Sequence, residues 1–440
     1  MVRHSLPTTT DYEAAMHPYR TFSGSVPHCR PHSRVALKLK AALASIGLIA
    51  AVACSEDSPS PLAPETTPTT PELSASATAA TLQFRQVSTG LGHSCGVTTT
   101  NQAYCWGRND FGELGDGHAG SGVFQTRPVP VAGGLQFRLV SAGADHSCGL
   151  TTDNRAYCWG DNTSGQLGDG NGGVDRSTPV AVAGGLQFSQ IDAGTYQHTC
   201  AVNALTKRAY CWGWNVSGQL GDGTFNHSAT PVAVASNAAF RFVSPGQFHT
   251  CGVTTGNQVY CWGDNGLGQL GDNSNVGNRP TPALVAGGRS YRQVDAGVNH
   301  TCAVTTGNRA FCWGNGRSGA IGDGKTFLRF APQAVAGGHS FDRVSAGNHS
   351  CAEATDNRVY CWGFNSHGQL GDGTRTDRLT PVLVVGGKFF AQVSAGGGTT
   401  CGVVSSSTRP AYCWGYNAEG EVGDGTTMVR TRPTAVASPM

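Results

Sequence analysis

The chain has 440 residues, of which 39% are apolar and only 13% charged, and its formal net charge is +2. It is long enough to bury a large core, and its near-neutral balance excludes a general attraction to nucleic acid or to an anionic surface. Its 62 glycines follow no collagen period, so they point to many tight turns and away from a mainly helical protein.

The first feature in chain order is one apolar run. Val35 to Lys40 contains Lys38 and Lys40, and the uncharged stretch Ala41 to Ala53 follows. This is too short to persist as a membrane span and reads as a signal peptide over residues 35–54. It closes on Ala51-Val52-Ala53-Cys54, which resembles the lipobox of bacterial lipoproteins, so Cys54 is the expected lipid-anchor residue. An ordinary secretory signal with an incidental Cys is the plainer alternative. Residues 1–34, with scattered Arg and His and no apolar period, are expected to be untranslated, with synthesis starting at Val35, or disordered. Residues 55–81 are mostly Ser, Thr, Pro and Ala and read as a flexible or polyproline-like tether, reaching at most ~80 Å at ~3.1 Å per residue.

From there one pattern recurs seven times over residues 82–438: a Cys, a short polar stretch, then Cys-Trp-Gly. The pairs are Cys95/Cys105, Cys148/Cys158, Cys200/Cys211, Cys251/Cys261, Cys302/Cys312, Cys351/Cys361 and Cys401/Cys413. Each cycle offers four short strands, as in Phe84–Ser88, His93–Val97, Ala103–Trp106 and Pro128–Val131, separated by Gly turns. A repeat near fifty residues with four strands predicts an all-β fold, a single seven-bladed β-propeller of four-stranded antiparallel blades. The first cycle opens at Phe84 and the chain finishes near Pro433–Val436, so one blade is expected to be built from both termini.

The runs Ala-Gly-x-x-His-Ser-Cys, Tyr-Cys-Trp-Gly-x-Asn and Gly-Gln-Leu-Gly-Asp-Gly resemble the regulator-of-chromosome-condensation repeat, with strong copies at 146–170, 249–272 and 349–373. The fifth cycle departs from it, with Gly316 for Asn and Ala320-Ile321 for Gln-Leu, and the seventh has Thr399 for His. The resemblance implies the propeller fold and a scaffold for protein partners. It also implies an alternative activity, guanine-nucleotide exchange, known for the founding member. An exported chain would not meet a cytosolic GTPase, and no hairpin of the founding kind is inserted here.

The two Cys of a cycle stand ten residues apart in five cycles, eleven in one and twelve in another, the extra residues falling in the turn. Length that varies only in the turn is what a hairpin shows when its two thiols face each other, and an oxidising compartment favours seven disulfides. A metal site from His93, Cys95 and Cys105 is the competing reading, weakened by the missing seventh His. The histidines that precede Ser-Cys or Thr-Cys in six of the cycles are expected to bond nearby backbone and order the Gly turn before them.

No acid/base pair, activated nucleophile or phosphate loop stands apart from the repeat, so no catalysis and no cofactor are expected. Asp116, Asp169, Asp222, Asp272, Asp323, Asp372 and Asp424 share one slot and read as turn residues bonding their own backbone. Function is expected where cycles differ. The slot after Trp-Gly holds Trp214, Phe364 and Tyr416 where other cycles place Arg108, Asp161, Asp264 and Asn315. The loop that follows carries Phe327, Arg329, Phe330, Arg375 and Arg378, giving a set of candidate partner-binding residues with Trp214, Phe364 and Tyr416. The expected protein is thus a lipid-anchored, extracytoplasmic, monomeric scaffold at the cell envelope or outer surface that binds an unidentified protein. Its membrane contact would be through the anchor alone, with no nucleic-acid partner. A glycan-binding propeller is a further alternative, resting on the aromatics and lacking the paired carboxylates of glycosidases.

Overall fold

The computed structural model describes residues 82–439. Cys54, the signal-like run and the Ser/Thr/Pro stretch lie outside the described residues. Among the described residues, twenty-eight strands form seven antiparallel sheets of four strands, each sheet one continuous stretch of chain: 84–130, 137–181, 188–233, 240–284, 291–334, 341–383 and 390–435. We number these blades 1 to 7. The first strand of every blade lies beside those of its neighbours and lines a central cavity of about 480 Å³.

Burial falls from the second strand outward for a simple reason. Strands such as His93–Thr98 have another blade over each face and are buried along their whole length, whereas the fourth strands, such as Arg176–Ala181, lie at the rim half in water. The core therefore sits between blades. Cys95, Val97, Cys105 and Leu114 of blade 1 pack against Phe137, Val140 and Trp159 of blade 2, and a matching cluster lies in every seam. In the last seam, Cys401, Val403, Cys413 and Val422 of blade 7 meet Phe84, Val87 and Trp106 of blade 1.

The expected blade of mixed termini does not form. Residues 390–435 complete blade 7 unaided, and residues 84–130 complete blade 1. The reason is the phase of the repeat: the Pro-Val strand pairs with the Cys-Trp-Gly strand before it, as in Tyr104 opposite Pro130 and Cys105 opposite Val129, so it ends a blade and cannot begin one.

Side-chain clasps repeated around the ring take the place of strand exchange. The loop leaving each third strand reaches the next blade, where its carbonyl accepts a tryptophan indole N–H: Trp159 Nε1 to Glu113 O, Trp212 to Gln166 O and Trp262 to Gln219 O, each 2.9 Å. Ser147 Oγ donates to the same Glu113 carbonyl at 2.9 Å. Its single proton is thereby used, so His93 Nε2, 2.7 Å away, must be the donor to Ser147. Six histidines (His93, His146, His198, His249, His300 and His349) clasp the next blade's Ser or Thr in this way. The sequence expectation gave these side chains a backbone partner; the hydroxyl across the seam is what they reach. At blade 7, Thr399 instead donates to Tyr416 O at 2.7 Å, and the seam to blade 1 has no histidine clasp. There Gln392 holds Val87 at both backbone groups, donating to its carbonyl at 2.8 Å and accepting its N–H at 2.9 Å.

Two glycine positions explain the Trp-Gly and Gly-Asp-Gly signatures. Gly107 has φ +103°, and a Cβ there would lie 2.7 Å from the Gly92 carbonyl; Gly115 has φ +70° and backs directly onto the Trp159 indole. Both positions recur in all seven blades.

Each cysteine of a second strand is bonded to the residue directly opposite it in the third. The disulfides are Cys95–Cys105, Cys148–Cys158, Cys200–Cys211, Cys251–Cys261, Cys302–Cys312, Cys351–Cys361 and Cys401–Cys413, with Cα atoms 4.0 to 4.1 Å apart. All fourteen cysteines are fully buried beneath the next blade's aromatics. Among the described residues no three His, Cys, Asp or Glu groups converge as metal ligands. The combination of His93, Cys95 and Cys105 is spent otherwise, since the sulfurs bond each other and the imidazole turns to Ser147.

Candidate interaction face

In every blade the loop between third and fourth strands leaves the same end of the sheet as the turn between first and second strands, so both sets form one face of the ring. Most of these loops are held from within. Asn162 accepts the Leu167 N–H at 3.1 Å and donates to Asp169 Oδ1 at 3.2 Å and to Asn171 O at 2.8 Å. Asp169 also accepts its own backbone two residues on, from Asn171 N at 2.9 Å, the Asx turn expected for this slot. Burial alone would raise the Asp169 carboxyl, but the Asn171 N–H and the Arg176 guanidinium outweigh it and hold it below the usual range.

The loop arginines close on these aspartates: Arg176 on Asp169 at 3.0 Å, Arg279 on Asp272 at 2.7 Å, Arg329 on Asp323 at 2.5 Å, Arg378 on Asp372 at 2.7 Å and Arg430 on Asp424 at 2.6 Å. Arg329 and Arg378, candidates for partner contact in the sequence, are thus loop fasteners with little charge to offer. Arg375 is exposed and has no such partner among the described ion pairs. Phe327 is 65% exposed, while Phe330 is half-buried against Gly268 of blade 4.

The aromatic slot breaks into two clusters. Trp214 is half-buried, stacked on His227 with centroids 4.6 Å apart and touched edge-on by Tyr196, which in turn meets Phe248 at 5.1 Å. Phe364 and Tyr416 flank His367 from two blades, with centroids at 6.3 and 5.0 Å. Tyr196, Phe248 and His227 escaped the sequence reading because they lie in turns whose lengths differ between cycles. Asp161, on the same slot, is closed off by Gln166 at 2.6 Å and Gln197 at 3.1 Å.

The cysteines are not part of this face. Cys105, Cys158, Cys211, Cys261, Cys312, Cys361 and Cys413 of the third strands are fully buried in the seams, away from both aromatic clusters, and each sulfur is taken up by its second-strand partner. They differ in kind from the aromatic and cationic candidates: as cross-links they hold the hairpins and offer a partner neither a reactive thiol nor a metal ligand.

Deep in the ring, Asp192 and Asp295 face the central cavity and accept hydrogen bonds from Ser141 at 2.6 Å and Ser244 at 2.8 Å. Burial, and then the Asp295 charge, push the Asp192 carboxyl up to about 8; burial raises Asp295 to about 6.

Seven blades, a clasp at each seam and loops gathered on one face define a propeller of the RCC1 repeat type. The family comparison agrees: the RCC1-like domain model matches residues 32–347 and the RCC1 repeat model residues 356–403, and the chain belongs to the RCC1-like domain family. It is 30% identical over 259 residues to the ultraviolet-B receptor UVR8 of Arabidopsis thaliana, covering 58% of each chain. It is also 30% identical over 252 residues to the probable E3 ubiquitin-protein ligase HERC6 of Homo sapiens, covering 54% of this chain and 24% of that one. It thus spans less than two thirds of the length of either relative. Among solved structures it is similar to Prp20p of Saccharomyces cerevisiae, with TM-score 0.66 and 22% identity over 81% of this chain and 87% of that one.

Proposed function

We propose that this chain is an exported, lipid-tethered propeller that presents its loop face to another protein and performs no catalysis. The observation that carries the reading is the set of seven fully buried cross-strand disulfides, one per blade, a chemistry at home in oxidising compartments and rare in the cytosol. The lipobox-like Cys54 supplies the tether. The loop face supplies the binding surface, because most of the large apolar side chains left in water lie there, including Phe225, Phe327 and Met428.

Expression of the full chain in a bacterial host, with fatty-acid labelling and envelope fractionation, tests the export half. Labelled protein in the envelope, and its loss in Cys54→Ser, is expected; unlabelled cytosolic protein with reduced thiols would sink it and revive the exchange reading. That second reading draws on Prp20p, described for its binding properties to Gsp1p and histones. Capture of envelope proteins on the immobilised propeller, compared with a Trp214→Ala/Phe364→Ala variant, tests the binding half and whether the two aromatic clusters take part.

A further inference from the structure

Blade 5 departs from the loop design that the other six share. The buried Asn that clamps the loop elsewhere is Gly316 here, and the residue corresponding to Gln166 or Glu113 is Ala320, which cannot brace the turn. The backbone itself takes the vacant room: a Cβ on Gly316 would lie against the Phe327 carbonyl, so the loop folds directly onto this glycine. In this loop Phe327 and Leu328 stand side by side in solvent, 65% and 40% exposed. The same loop runs along blade 6, where Gly324 N donates to Leu379 O at 2.9 Å and Gly319 abuts Leu379, itself 40% exposed.

The charges around these three apolar side chains are also uneven. Arg317, Lys325 and Arg375 are exposed and have no ion-pair partner among the described residues, whereas Arg329 and Arg378 are neutralised by Asp323 and Asp372. Asp377 is the one carboxylate of this sector outside an ion pair, and it accepts the Asn365 N–H at 2.7 Å. The sector of blade 2 has the opposite sign, carrying Asp161, Asp169 and Asp175 against Arg176 alone.

We propose that the seam between blades 5 and 6 is the docking site for an acidic segment of a partner protein that inserts an apolar side chain between Phe327, Leu328 and Leu379, its carboxylates meeting Arg317, Lys325 and Arg375. Apolar anchors on two neighbouring loops that also carry cations without ion-pair partners fit that chemistry: the anchor supplies affinity, and the charge selects the segment and its orientation. The proposal rests on the reading that the loop face binds protein.

The test uses the full chain and a fluorescent twelve-residue peptide of Asp and Glu with two central Leu, against the same peptide with Lys for every acid and against vesicles of phosphatidylglycerol and phosphatidylcholine. Saturable binding of the acidic peptide is expected, weakened about tenfold or more by Lys325→Glu/Arg375→Glu and by Phe327→Ser, and unchanged by Leu205→Ser, in the turn at the opposite end of blade 3. These positions are all exposed, and melting curves matching the parent confirm that the variants fold. Equal binding of the Lys peptide, binding to vesicles alone, or self-association lost in these same variants would overturn the acidic-segment assignment. If envelope partners are captured equally by Lys325→Glu/Arg375→Glu but lost in Trp214→Ala/Phe364→Ala, the docking site is wrong while the binding-face reading stands. If nothing is captured by any form, that reading fails as well.

Discussion

The indole N–H of Trp106 donates to the carbonyl of Glu421 at 2.9 Å, joining residues 315 positions apart. Ser94 Oγ adds a second hydrogen bond to the same carbonyl at 3.1 Å. This clasp matches the other six, and with backbone pairs such as Phe84 N to Arg409 O at 3.0 Å it closes the ring across a seam and not by a shared sheet.

Closure of this kind makes Trp106 a point of weakness. Trp106→Phe keeps most of the ring's apolar bulk but removes the donor, and a loss of about 1–3 kcal/mol in urea unfolding is expected. Truncation after Gly425 should do more, since it removes the outer strand that pairs Tyr412 with Ala435 and leaves an open edge on blade 7. A truncated chain melting with the parent would contradict this.

The histidine clasps predict a second asymmetry. His249→Ala loses a buried hydrogen bond to Thr301 and leaves a cavity between blades 4 and 5, an expected cost of about 2–4 kcal/mol. Thr399 stands where the seventh clasp is missing, so Thr399→His, placing a donor opposite Ser94, should leave stability unchanged or raise it by about 1 kcal/mol. Thermal melts of the two variants give the comparison directly.

Removing one staple should be tolerated but measurable. Cys251→Ala/Cys261→Ala opens a loop of about ten residues and is expected to cost up to about 2–3 kcal/mol in guanidinium unfolding. Because these sulfurs are fully buried, dithiothreitol should leave the native protein oxidised until denaturant is added. Rapid reduction of the folded ring would refute the burial argument.

Stability should fall on both sides of a maximum near neutrality. Burial lowers His93, His198, His249 and His349 to about 3 and His146 and His300 to about 4. Their depressed folded values mean that the unfolded chain takes up protons first, so stability is complete above about pH 6.5 and drains away as pH falls toward 4. Asp192 has the opposite sign: its folded value near 8 keeps it protonated while the unfolded carboxyl ionises near pH 4, so stability is lost as pH rises toward 8. Burial gives Glu353 and Glu421, at about 7, the same sign. Melting temperatures from pH 4 to 9 should therefore peak between these limbs, and Asp192→Asn should flatten the alkaline one. An unchanged alkaline slope would exclude Asp192 as its source.

The repeat made much of this legible in advance. Any position whose residue type recurs in every cycle reports a need common to all blades, which is why the Cys pairs, the Trp-Gly corner and the Asp turns could be read from spacing alone. What a side chain reaches in the next blade leaves no mark on local periodicity. His93 and Ser147 are 54 residues apart, and nothing in either strand announces their partnership. Arg329 and Arg378 read as candidate partner contacts because a charge in a variable loop is visible in a sequence, whereas its closure on Asp323 or Asp372 at 2.5 or 2.7 Å is not.

Seven blades of four strands, their disulfide hairpins and the turn chemistry are legible in the sequence, since each follows from periods and residue types within about fifty positions. How the ring closes, which cations stay unpaired and which apolar loop side chains remain in water emerge in the assembled ring. Those outcomes depend on groups brought together across seams, where the free energy comes from burial and hydrogen bonding between distant segments.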